Sequence, residues 1–279
     1  MRIDAALRSA TKALSMHSET ARLDAELILA HCLQANRSYL YTWPEKELSE
    51  TAQACFTEAI TKRQSLYPVA YILGYQEFWS LPITVTPDVL IPRADTELLV
   101  ETALNKISSL TSPNILELGT GSGAVSLAIA SERPDASIVA CDLSDAALSV
   151  ATNNRNKLDI NNIEFILSDW FSAMPHALFD LVVSNPPYVD PEDLHLQSSI
   201  KYEPKLALTA EETGLADLRK ISKEARHYIK PHGWLIMEHG FDQAKIVKAM
   251  LQNEGYESVI SLKDLGKNDR ITIGKHVVA

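Results

Sequence analysis

The stretch SNPPYVD (184–190) follows an apolar run and carries residue types that could do chemistry. A residue before proline is driven toward extended geometry, so we expect Asn185 to continue the strand and stand at its tip. Because Pro186 and Pro187 have no N–H, the loop offers carbonyl acceptors where two donors are missing. The Asn185 side chain adds an acceptor oxygen if its NH₂ group is bonded elsewhere, and Tyr188 adds a flat ring with a polar tip.

Such a set of acceptors fits a planar NH₂ group, either a carboxamide or the exocyclic amine of a nucleobase. The lone pair of this nitrogen is delocalised, as in a peptide bond, which makes the nitrogen a poor nucleophile. Two acceptors aimed at its hydrogens would hold it and favour rehybridisation as it attacks an electrophile, such as a methyl group on a sulfonium. A rigid turn would explain the two prolines equally well, so the choice depends on their surroundings.

A glycine-rich loop, ELGTGSGAVSLA (117–128), lies between a predicted strand and a predicted helix. Gly119, Gly121 and Gly123 allow a tight turn and the close approach of a ligand to the backbone. Ala124 stands where the dinucleotide fingerprint has its third glycine, so the spacing is not that of the fingerprint. Taken alone, the loop is weak evidence for a ligand, because a tight strand-to-helix turn without a ligand explains about a third of such loops in α/β proteins.

Two acidic positions downstream favour a ligand. Asp142 ends the next strand, where a carboxylate accepts hydrogen bonds from ribose hydroxyls and would repel a 2′-phosphate. Asp142 could instead cap a helix, but Ser144 already supplies a cap. After the third strand, Asp169 could accept from an adenine amino group, and Trp170 could cover a ring face or pack in the core. All these groups follow the carboxyl ends of predicted strands, so the sequence predicts a nucleoside-bearing cofactor beside Asn185.

The elements that position these residues are predicted by the hydrophobic pattern. After Pro113, strands and helices alternate, which indicates a mostly parallel sheet with helices on both faces. The last two strands lie too close for a helix between them and should form an antiparallel pair. The predicted strands are NILELG (114–119), ASIVACD (136–142), IEFILSD (163–169), FDLVVS (179–184), GWLIMEH (233–239), YESVISL (256–262) and RITIGK (270–275).

The first part of the chain has a different pattern. The hydrophobic pattern of residues 1–75 predicts amphipathic helices, and no glycine occurs before Gly74. We therefore expect a small all-helical domain. Residues 76–92 are rich in β-branched and aromatic residues and are broken by Pro82 and Pro87, which predicts a β-hairpin linker. Residues 93–279 would then form the α/β domain.

Composition narrows the class of protein. The 279 residues are 46% hydrophobic and carry a formal net charge of −10, so the chain is a poor partner for a phosphate backbone. Cys32, Cys55 and Cys141 are odd in number and lack ligand spacing, so we expect buried thiols rather than a disulfide or a metal site. The start lacks a signal-peptide pattern and no apolar run could span a bilayer, so we expect a cytoplasmic protein.

In this order, the motifs closely resemble the HemK/PrmC family, the peptide chain release factor glutamine N5-methyltransferases. The resemblance covers essentially the whole chain and depends on the segments IPRADTE (91–97), ELGTGSG (117–123), SDWF (168–171), SNPPYV (184–189) and YEPKLAL (202–208). The sequence departs from the family pattern at Ala94, where proline is common, and in the acidic-glycine region EETGLADL (211–218). These departures concern loop rigidity more than chemistry.

The resemblance implies a class I S-adenosylmethionine-dependent methyltransferase, with a Rossmann-like sheet of seven mostly parallel strands. It implies that the helical domain, residues 1–75, docks the release factor and that no direct nucleic-acid or membrane binding is needed. S-adenosyl-L-methionine, converted to S-adenosyl-L-homocysteine, would be held by Gly119, Thr120, Gly121, Ser122, Gly123, Asp142, Trp170 and Asn185. The glutamine amide of a Gly-Gly-Gln loop would be bound by Asn185, Pro186, Pro187 and Tyr188.

The roles that follow are hypotheses. The Asn185 oxygen and the Pro186 carbonyl would accept the two amide hydrogens, and Tyr188 would fix the amide plane, which makes these three the catalytic residues. Arg93 and Glu203 would organise the peptide entrance or form a structural ion pair.

Three other functions fit parts of the pattern. An adenine-N6 methyltransferase of DNA or RNA would need the same NPPY chemistry, although the acidic charge disfavours it. A dinucleotide oxidoreductase is disfavoured by Ala124 and the proline loop. A non-catalytic binding module would not require Asn185 for its function.

Overall fold

The computed structural model describes residues 1–175 and 177–277, which divide into two compact units. The first unit comprises Met1–Tyr75 together with Leu194–Tyr202, and the second comprises Gln76–Asp193 and the chain from Glu203 onward. The helices of the first unit are α1 (Ile3–Leu14), α2 (Ala21–Cys32), α3 (Arg37–Thr42), α4 (Glu50–Gln64) and α5 (Val69–Leu73). Two 3₁₀ turns, Leu194–Gln197 and Ser199–Tyr202, complete it.

The first unit is held by an apolar core between its helices. Leu14, Ile28 and Leu29 are fully buried in one cluster with Phe56. Burying each such side chain contributes roughly 1.5–3 kcal/mol, which stabilises helices too short to persist alone.

A disulfide in this unit contradicts the expectation from the sequence. Cys32 and Cys55 are bonded between α2 and α4, with their Cα atoms 5.9 Å apart, and Cys55 is exposed. The expectation of buried thiols is therefore wrong for this pair and holds for Cys141, which is free and buried. Spacing did not reveal the bond because it depends on which faces of two helices meet.

The second unit contains a hairpin and an α/β layer structure. The hairpin is β1 (Tyr75–Phe78) and β2 (Leu81–Thr84). The strands of the main sheet are β3 (Asn114–Leu118), β4 (Ser137–Asp142), β5 (Ile163–Leu167), β6 (Phe179–Ser184), β7 (Ile229–Glu238), β8 (Glu257–Lys263) and β9 (Asp269–Lys275). The regular helices are α6 (Glu97–Ile107), α7 (Ala124–Glu132), α8 (Asp145–Lys157), α10 (Ala216–Glu224) and α11 (Ala244–Asn253). The short segment labelled α9 (Glu211–Gly214) contains two residues with non-helical backbone angles.

The sheet has the predicted directions. In the described residues, seven strands lie in the order β5-β4-β3-β6-β7-β9-β8. The pairs β5–β4, β4–β3, β3–β6 and β6–β7 are parallel, whereas β9 is antiparallel to both β7 and β8. The predictions of a mostly parallel sheet and of an antiparallel closing pair are confirmed.

Both faces of the sheet are covered. Leu116, Leu118 and Val182 pack in one cluster with residues of α10 and α11. Their alternate neighbours in the strands, such as Ile115 and Val183, are also fully buried. Since successive side chains of a strand point to opposite faces, helices or connecting segments must shield both sides.

This strand order explains why the functional loops meet. The chain runs from β3 outward through β4 to β5, and then returns to the other side of β3 as β6. The carboxyl ends of β3 and β6 are therefore neighbours at the topological switch point, where open α/β sheets bind ligands. The glycine loop follows β3, and the NPPY segment (185–188) follows β6.

Asn154 in α8 connects the hairpin to the glycine loop. Its amide nitrogen Nδ2 donates to the carbonyls of Thr84 and Ser122, each at 3.0 Å, and its oxygen Oδ1 accepts from the Thr84 N–H at 2.8 Å. The side chain is 1% exposed. Three hydrogen bonds from one buried side chain therefore position strand β2 and the base of the loop.

We expect Asn154→Ala to lower the free energy of unfolding by roughly 2–4 kcal/mol, because it leaves three backbone groups without their partner. Asn153→Ala, at the exposed neighbouring position of the same helix, should change it by less than about 0.5 kcal/mol. Urea denaturation of both variants measures the difference. Equal stabilities would show that this connection is not a structural support.

Candidate active site

The glycine loop begins where β3 ends and folds over the neighbouring strand. The N–H groups of Gly119 and Thr120 both donate to the Cys141 carbonyl of β4, at 2.9 Å. Gly119 and Gly123 have φ of 72° and 81°, a region that favours glycine because it lacks a Cβ. The loop therefore exposes its backbone at the switch point and leads directly into α7.

The buried carboxyl group of Glu117 is hydrogen-bonded to the glycine loop and to the start of α7. Glu117 Oε2 accepts from the Thr120 hydroxyl at 2.6 Å and from the Ser126 N–H at 3.1 Å. Burial raises the pKa of Glu117 to about 7, against the opposing effect of these hydrogen bonds. Sequence reasoning missed this residue, although an acidic residue inside an apolar strand was a usable signal.

Asp142, at the end of β4, is hydrogen-bonded to the backbone of the glycine loop. Its Oδ2 accepts from the Gly121 N–H at 2.8 Å, and its Oδ1 accepts from the Ser144 N–H at 2.9 Å. Ser144 caps α8 through a bond from the Ala147 N–H, as the sequence predicted. Burial raises the pKa of Asp142. Each carboxylate oxygen has a further lone pair, so Asp142 can still accept from a ribose hydroxyl.

The Trp170 ring forms one wall of the same space. A Cβ built on Gly119 would come within 3.5 Å of the ring, so the ring lies against the glycine turn. Asp169, beside it, is exposed and pairs with Lys220 at 2.9 Å. Asp217 lies on the same side, and burial raises the pKa of its carboxyl. The sequence pointed to Asp169 and Trp170 but not to the two α10 residues, whose positions depend on helix packing.

The NPPY segment lies beside the glycine loop, and two of its side chains are hydrogen-bonded to groups behind it. The Ser184 hydroxyl donates to the Leu118 carbonyl at 2.8 Å, which fixes the tip of β6 against the tip of β3. The Asn185 nitrogen Nδ2 donates to Thr96 Oγ1 at 3.2 Å. The Tyr188 hydroxyl donates to Glu238 Oε1 at 3.0 Å, and burial raises the pKa of this tyrosine. Pro186 is buried, whereas Pro187 is half-buried.

A single cavity joins these parts. Its volume is about 620 Å³, within the size range of small-molecule sites. Asn185 and Pro187 line it together with Gly119, Gly121 and Asp142. Further lining residues are Leu90, Leu143, Ser144, Asp169, Trp170, Leu206, Asp217 and Lys220. Five other residues that the sequence predicted for this site do not line the cavity. Tyr188 points inward to Glu238, and the other four are buried, namely Thr120, Ser122, Gly123 and Pro186.

The residues around this cavity fit a nucleoside-bearing cofactor with a charged tail. Gly121 has no atom within 4 Å of the position of a Cβ, so the backbone lies open to the cavity. The acidic Asp142 suits ribose hydroxyls, and the Trp170 ring supplies a flat apolar surface. Among the described residues, no group of three or more His, Cys, Asp or Glu side chains is arranged to hold a metal ion.

Arg93 and Glu203 form an ion pair that joins the segment before α6 to the segment before α9. Arg93 Nη2 donates to Glu203 Oε1 at 2.5 Å, and Glu203 Oε2 accepts from the Ile91 N–H at 3.0 Å. Glu203 is 5% exposed. A buried carboxylate that satisfies both a guanidinium and a backbone N–H orders the two segments it connects.

The backbone carbonyl of Tyr188 is in close contact with Gln243 and Gly214. It accepts from Gln243 Nε2 at 3.0 Å, and a Cβ at Gly214 would come within 2.1 Å of its oxygen. Gly214 ends a left-handed turn in which Glu212 and Thr213 have φ of 54° and 56°. Such strained backbone persists only where its surroundings fix it. The turn therefore limits where the end of the NPPY segment can lie.

We expect Gly214→Ala to lower the free energy of unfolding by roughly 2–3 kcal/mol more than Gly255→Ala does. Both glycines have similar positive φ, but a Cβ at Gly255 meets no atom within 4 Å, so only Gly214 adds a collision with backbone. Urea denaturation gives the free energy of unfolding of each variant. The difference between the two variants reports the collision with the Tyr188 carbonyl, because the cost of a positive φ is similar in both. Equal losses would mean that the Tyr188 carbonyl can move freely.

Comparison with known proteins gives the family. Two family models match the chain, the PrmC N-terminal domain over residues 5–74 and the methyltransferase small domain over residues 94–202. The release factor glutamine methyltransferase of Shewanella oneidensis is 49% identical over 97% of this chain and 94% of its own length. That of Vibrio cholerae is 44% identical over 98% of this chain and 96% of its own length.

A solved structure supports the fold. A methyltransferase from Pyrococcus furiosus matches with a TM-score of 0.52 and 17% identity, covering 71% of this chain and 90% of its own. The class I methyltransferase fold predicted from the sequence is confirmed. Since nearly half of its residues are shared with a relative over almost the full length of both, the chain belongs to the release factor glutamine methyltransferase family.

Proposed function

We propose that this chain transfers a methyl group from S-adenosylmethionine to the side-chain amide nitrogen, N5, of the glutamine in the Gly-Gly-Gln loop of peptide chain release factors. The relatives that align with 97% and 98% of this chain are named release factor glutamine methyltransferases. The observation that carries the proposal is that Asn185 and Pro187 line the same cavity as the glycine loop and Asp142. The residues that we propose bind the amide therefore lie beside those that we propose bind the nucleoside.

The cofactor would be held by residues at the carboxyl ends of β3, β4 and β5. The backbone from Gly119 to Gly123 would face its charged tail, Asp142 its ribose hydroxyls, and Trp170 one of its apolar faces. The sulfonium supplies an activated methyl group, so the protein does not need to generate an electrophile. What remains is to align and polarise a weakly nucleophilic amide.

Asn185 and Pro186 would hold that amide. The Asn185 oxygen and the Pro186 carbonyl accept its two hydrogens, which favours the pyramidal nitrogen that attacks. The amide nitrogen would bond to the methyl carbon as the carbon–sulfur bond breaks, S-adenosylhomocysteine would leave, and one amide proton would pass to solvent. The Tyr188 hydroxyl is bonded to Glu238, so its ring, rather than its hydroxyl, would set the plane of the amide.

The helical unit, residues 1–75, would contribute to docking of the release factor. We propose a cytoplasmic location, because the proposed protein substrate acts in translation. In the described part of the chain, no helix is long and apolar enough to cross a membrane. The net charge of −10 disfavours nucleic acid as the substrate.

The test is methylation of a purified release factor with S-adenosylmethionine, followed by mass spectrometry of its peptides. We expect one added methyl group on the amide nitrogen of the Gly-Gly-Gln glutamine. A release factor with that glutamine replaced by alanine should gain none. Methyl transfer to DNA or RNA alone, with no label in the protein, would overturn the proposal.

Asn185→Ala should lower kcat at least about 100-fold, because it removes an acceptor that the transition state needs. The Kd for S-adenosylmethionine should rise by less than about tenfold, since the other cofactor contacts remain. Asn253→Ala, at the exposed end of α11, is the matched control and should keep the full rate. Single-turnover methylation and equilibrium titration measure the two quantities. An unchanged rate in Asn185→Ala would exclude the assigned role.

A further inference from the structure

A cluster of four side chains in the helical unit surrounds a buried carboxylate. Glu26 of α2 is 1% exposed. Its Oε2 accepts from Nη2 and Nε of Arg37, at 2.7 and 3.2 Å, and its Oε1 accepts from Arg22 Nε and from the Tyr41 hydroxyl. We call these four residues the Glu26 cluster. Each carboxylate oxygen accepts two hydrogen bonds, so the lone pairs of Glu26 are fully used.

These contacts keep the Glu26 carboxyl ionised. Burial by itself raises the pKa of this group, but the hydrogen bonds from Tyr41, Arg37 and Arg22 outweigh burial and lower the pKa below its ordinary value. With two guanidiniums and one carboxylate, the Glu26 cluster carries one net positive charge at neutral pH. The chain as a whole carries a net charge of −10, so the cluster is a locally cationic place on an acidic protein.

The three partners of Glu26 present their other atoms to solvent. The side chains of Arg22 and Arg37 are each 47% exposed, and Tyr41 is 60% exposed. The described hydrogen bonds to Glu26 use one of the five N–H groups of Arg22 and two of the five of Arg37. Both guanidiniums therefore keep donors for a ligand, while their inner ends are held in place.

This arrangement is typical of a binding surface. Ordering long side chains costs conformational entropy, and a buried ion pair contributes little net stability in return. The cost is offset where a partner binds, because the partner then meets side chains that are already ordered. Arginine and tyrosine are also enriched among the residues that dominate the binding energy of protein interfaces.

The charge of the Glu26 cluster indicates the chemistry of its partner. A guanidinium binds a carboxylate through two parallel N–H···O hydrogen bonds. An acidic segment of a protein would be repelled by most of this chain and attracted here. A nucleic acid also carries anions, but it spreads them over a long backbone, which a net charge of −10 disfavours.

We infer that Arg22, Arg37 and Tyr41, held in place by Glu26, form a docking surface for an acidic segment of the release factor. The two guanidiniums bind carboxylates of that segment, and the exposed Tyr41 ring packs against an apolar side chain beside them. The inference rests on the proposed function, which supplies the protein substrate. It adds a defined surface and a charge to the docking role of residues 1–75.

Two substitutions test the inference, Arg22→Gln and Arg37→Gln. Each removes a positive charge but leaves an NH₂ group that can donate to Glu26. Each should raise the KM for a purified release factor about three- to tenfold and keep kcat within about twofold, because docking is weakened and the chemistry is not. A short peptide that contains Gly-Gly-Gln but no acidic residue should be methylated with the same kcat/KM by the variants and the original chain.

Lys62→Gln is the matched control. It removes an exposed positive charge from α4 of the same unit, where Lys62 pairs with Glu58 at 2.8 Å, and should leave the KM for the release factor unchanged. The Kd for S-adenosylmethionine should stay within about twofold in all three variants.

The original chain supplies a test that does not depend on the folding of any variant. Raising NaCl from about 0.05 to about 0.5 M should increase its KM for the release factor at least about threefold, because salt screens exposed charges. The KM for the neutral peptide should stay constant.

Three results would overturn the inference. One is an unchanged KM for the release factor in the folded double variant, or an unchanged KM across the salt range. Another is an equal loss with the release factor and with the peptide. The third is binding of transfer RNA that both substitutions abolish while the KM for the release factor stays the same. Failure of the proposed function is different, since the original chain would then not methylate the release factor at all.

Discussion

The site depends on the direction of one hydrogen bond, from the Asn185 NH₂ group to the hydroxyl of Thr96. An amide substrate offers hydrogens, so a site that binds it must offer oxygens, and every nearby donor must be occupied or removed. Pro186 and Pro187 remove two backbone donors by their chemistry. The Asn185 NH₂ group remains, and Thr96 occupies it. The result is a small surface rich in acceptors beside a cavity suited to a nucleoside-bearing cofactor.

The fold serves this surface by bringing separate strands to one edge. The glycine loop and the NPPY segment are more than 60 residues apart in sequence, yet β3 and β6 pair directly. The Ser184 hydroxyl locks the two strand tips together at the Leu118 carbonyl. Buried acids on β3 and β7, the strands on either side of β6, then hold the two loops: Glu117 bonds to the glycine loop and Glu238 to Tyr188 of the NPPY segment. Burying a carboxyl group costs free energy, and the hydrogen bonds to Thr120, Ser126 and Tyr188 offset part of that cost.

The sequence predicted what local chemistry dictates. Proline geometry placed Asn185 at a strand tip, glycine spacing placed a turn after β3, and the alternating pattern gave the parallel sheet. It did not reveal Thr96, Lys220 or the disulfide between Cys32 and Cys55, because each depends on packing between elements distant in the chain. The condition that the Asn185 NH₂ group be bonded elsewhere could be stated from chemistry, but its partner could not be named. The left-handed turn at Gly214 was likewise visible only as an acidic-glycine run.

The central claim concerns where protons lie, so the most direct measurement is neutron diffraction from deuterated crystals of this protein with S-adenosylhomocysteine and a release factor. X-ray data at ordinary resolution do not distinguish the two ends of an amide, whereas deuterium is located directly. The account predicts both deuterons on the Asn185 atom nearest Thr96, with the other end, an oxygen, at about 2.9 Å from the glutamine nitrogen. Deuterons of Asn185 pointing at the substrate would contradict it.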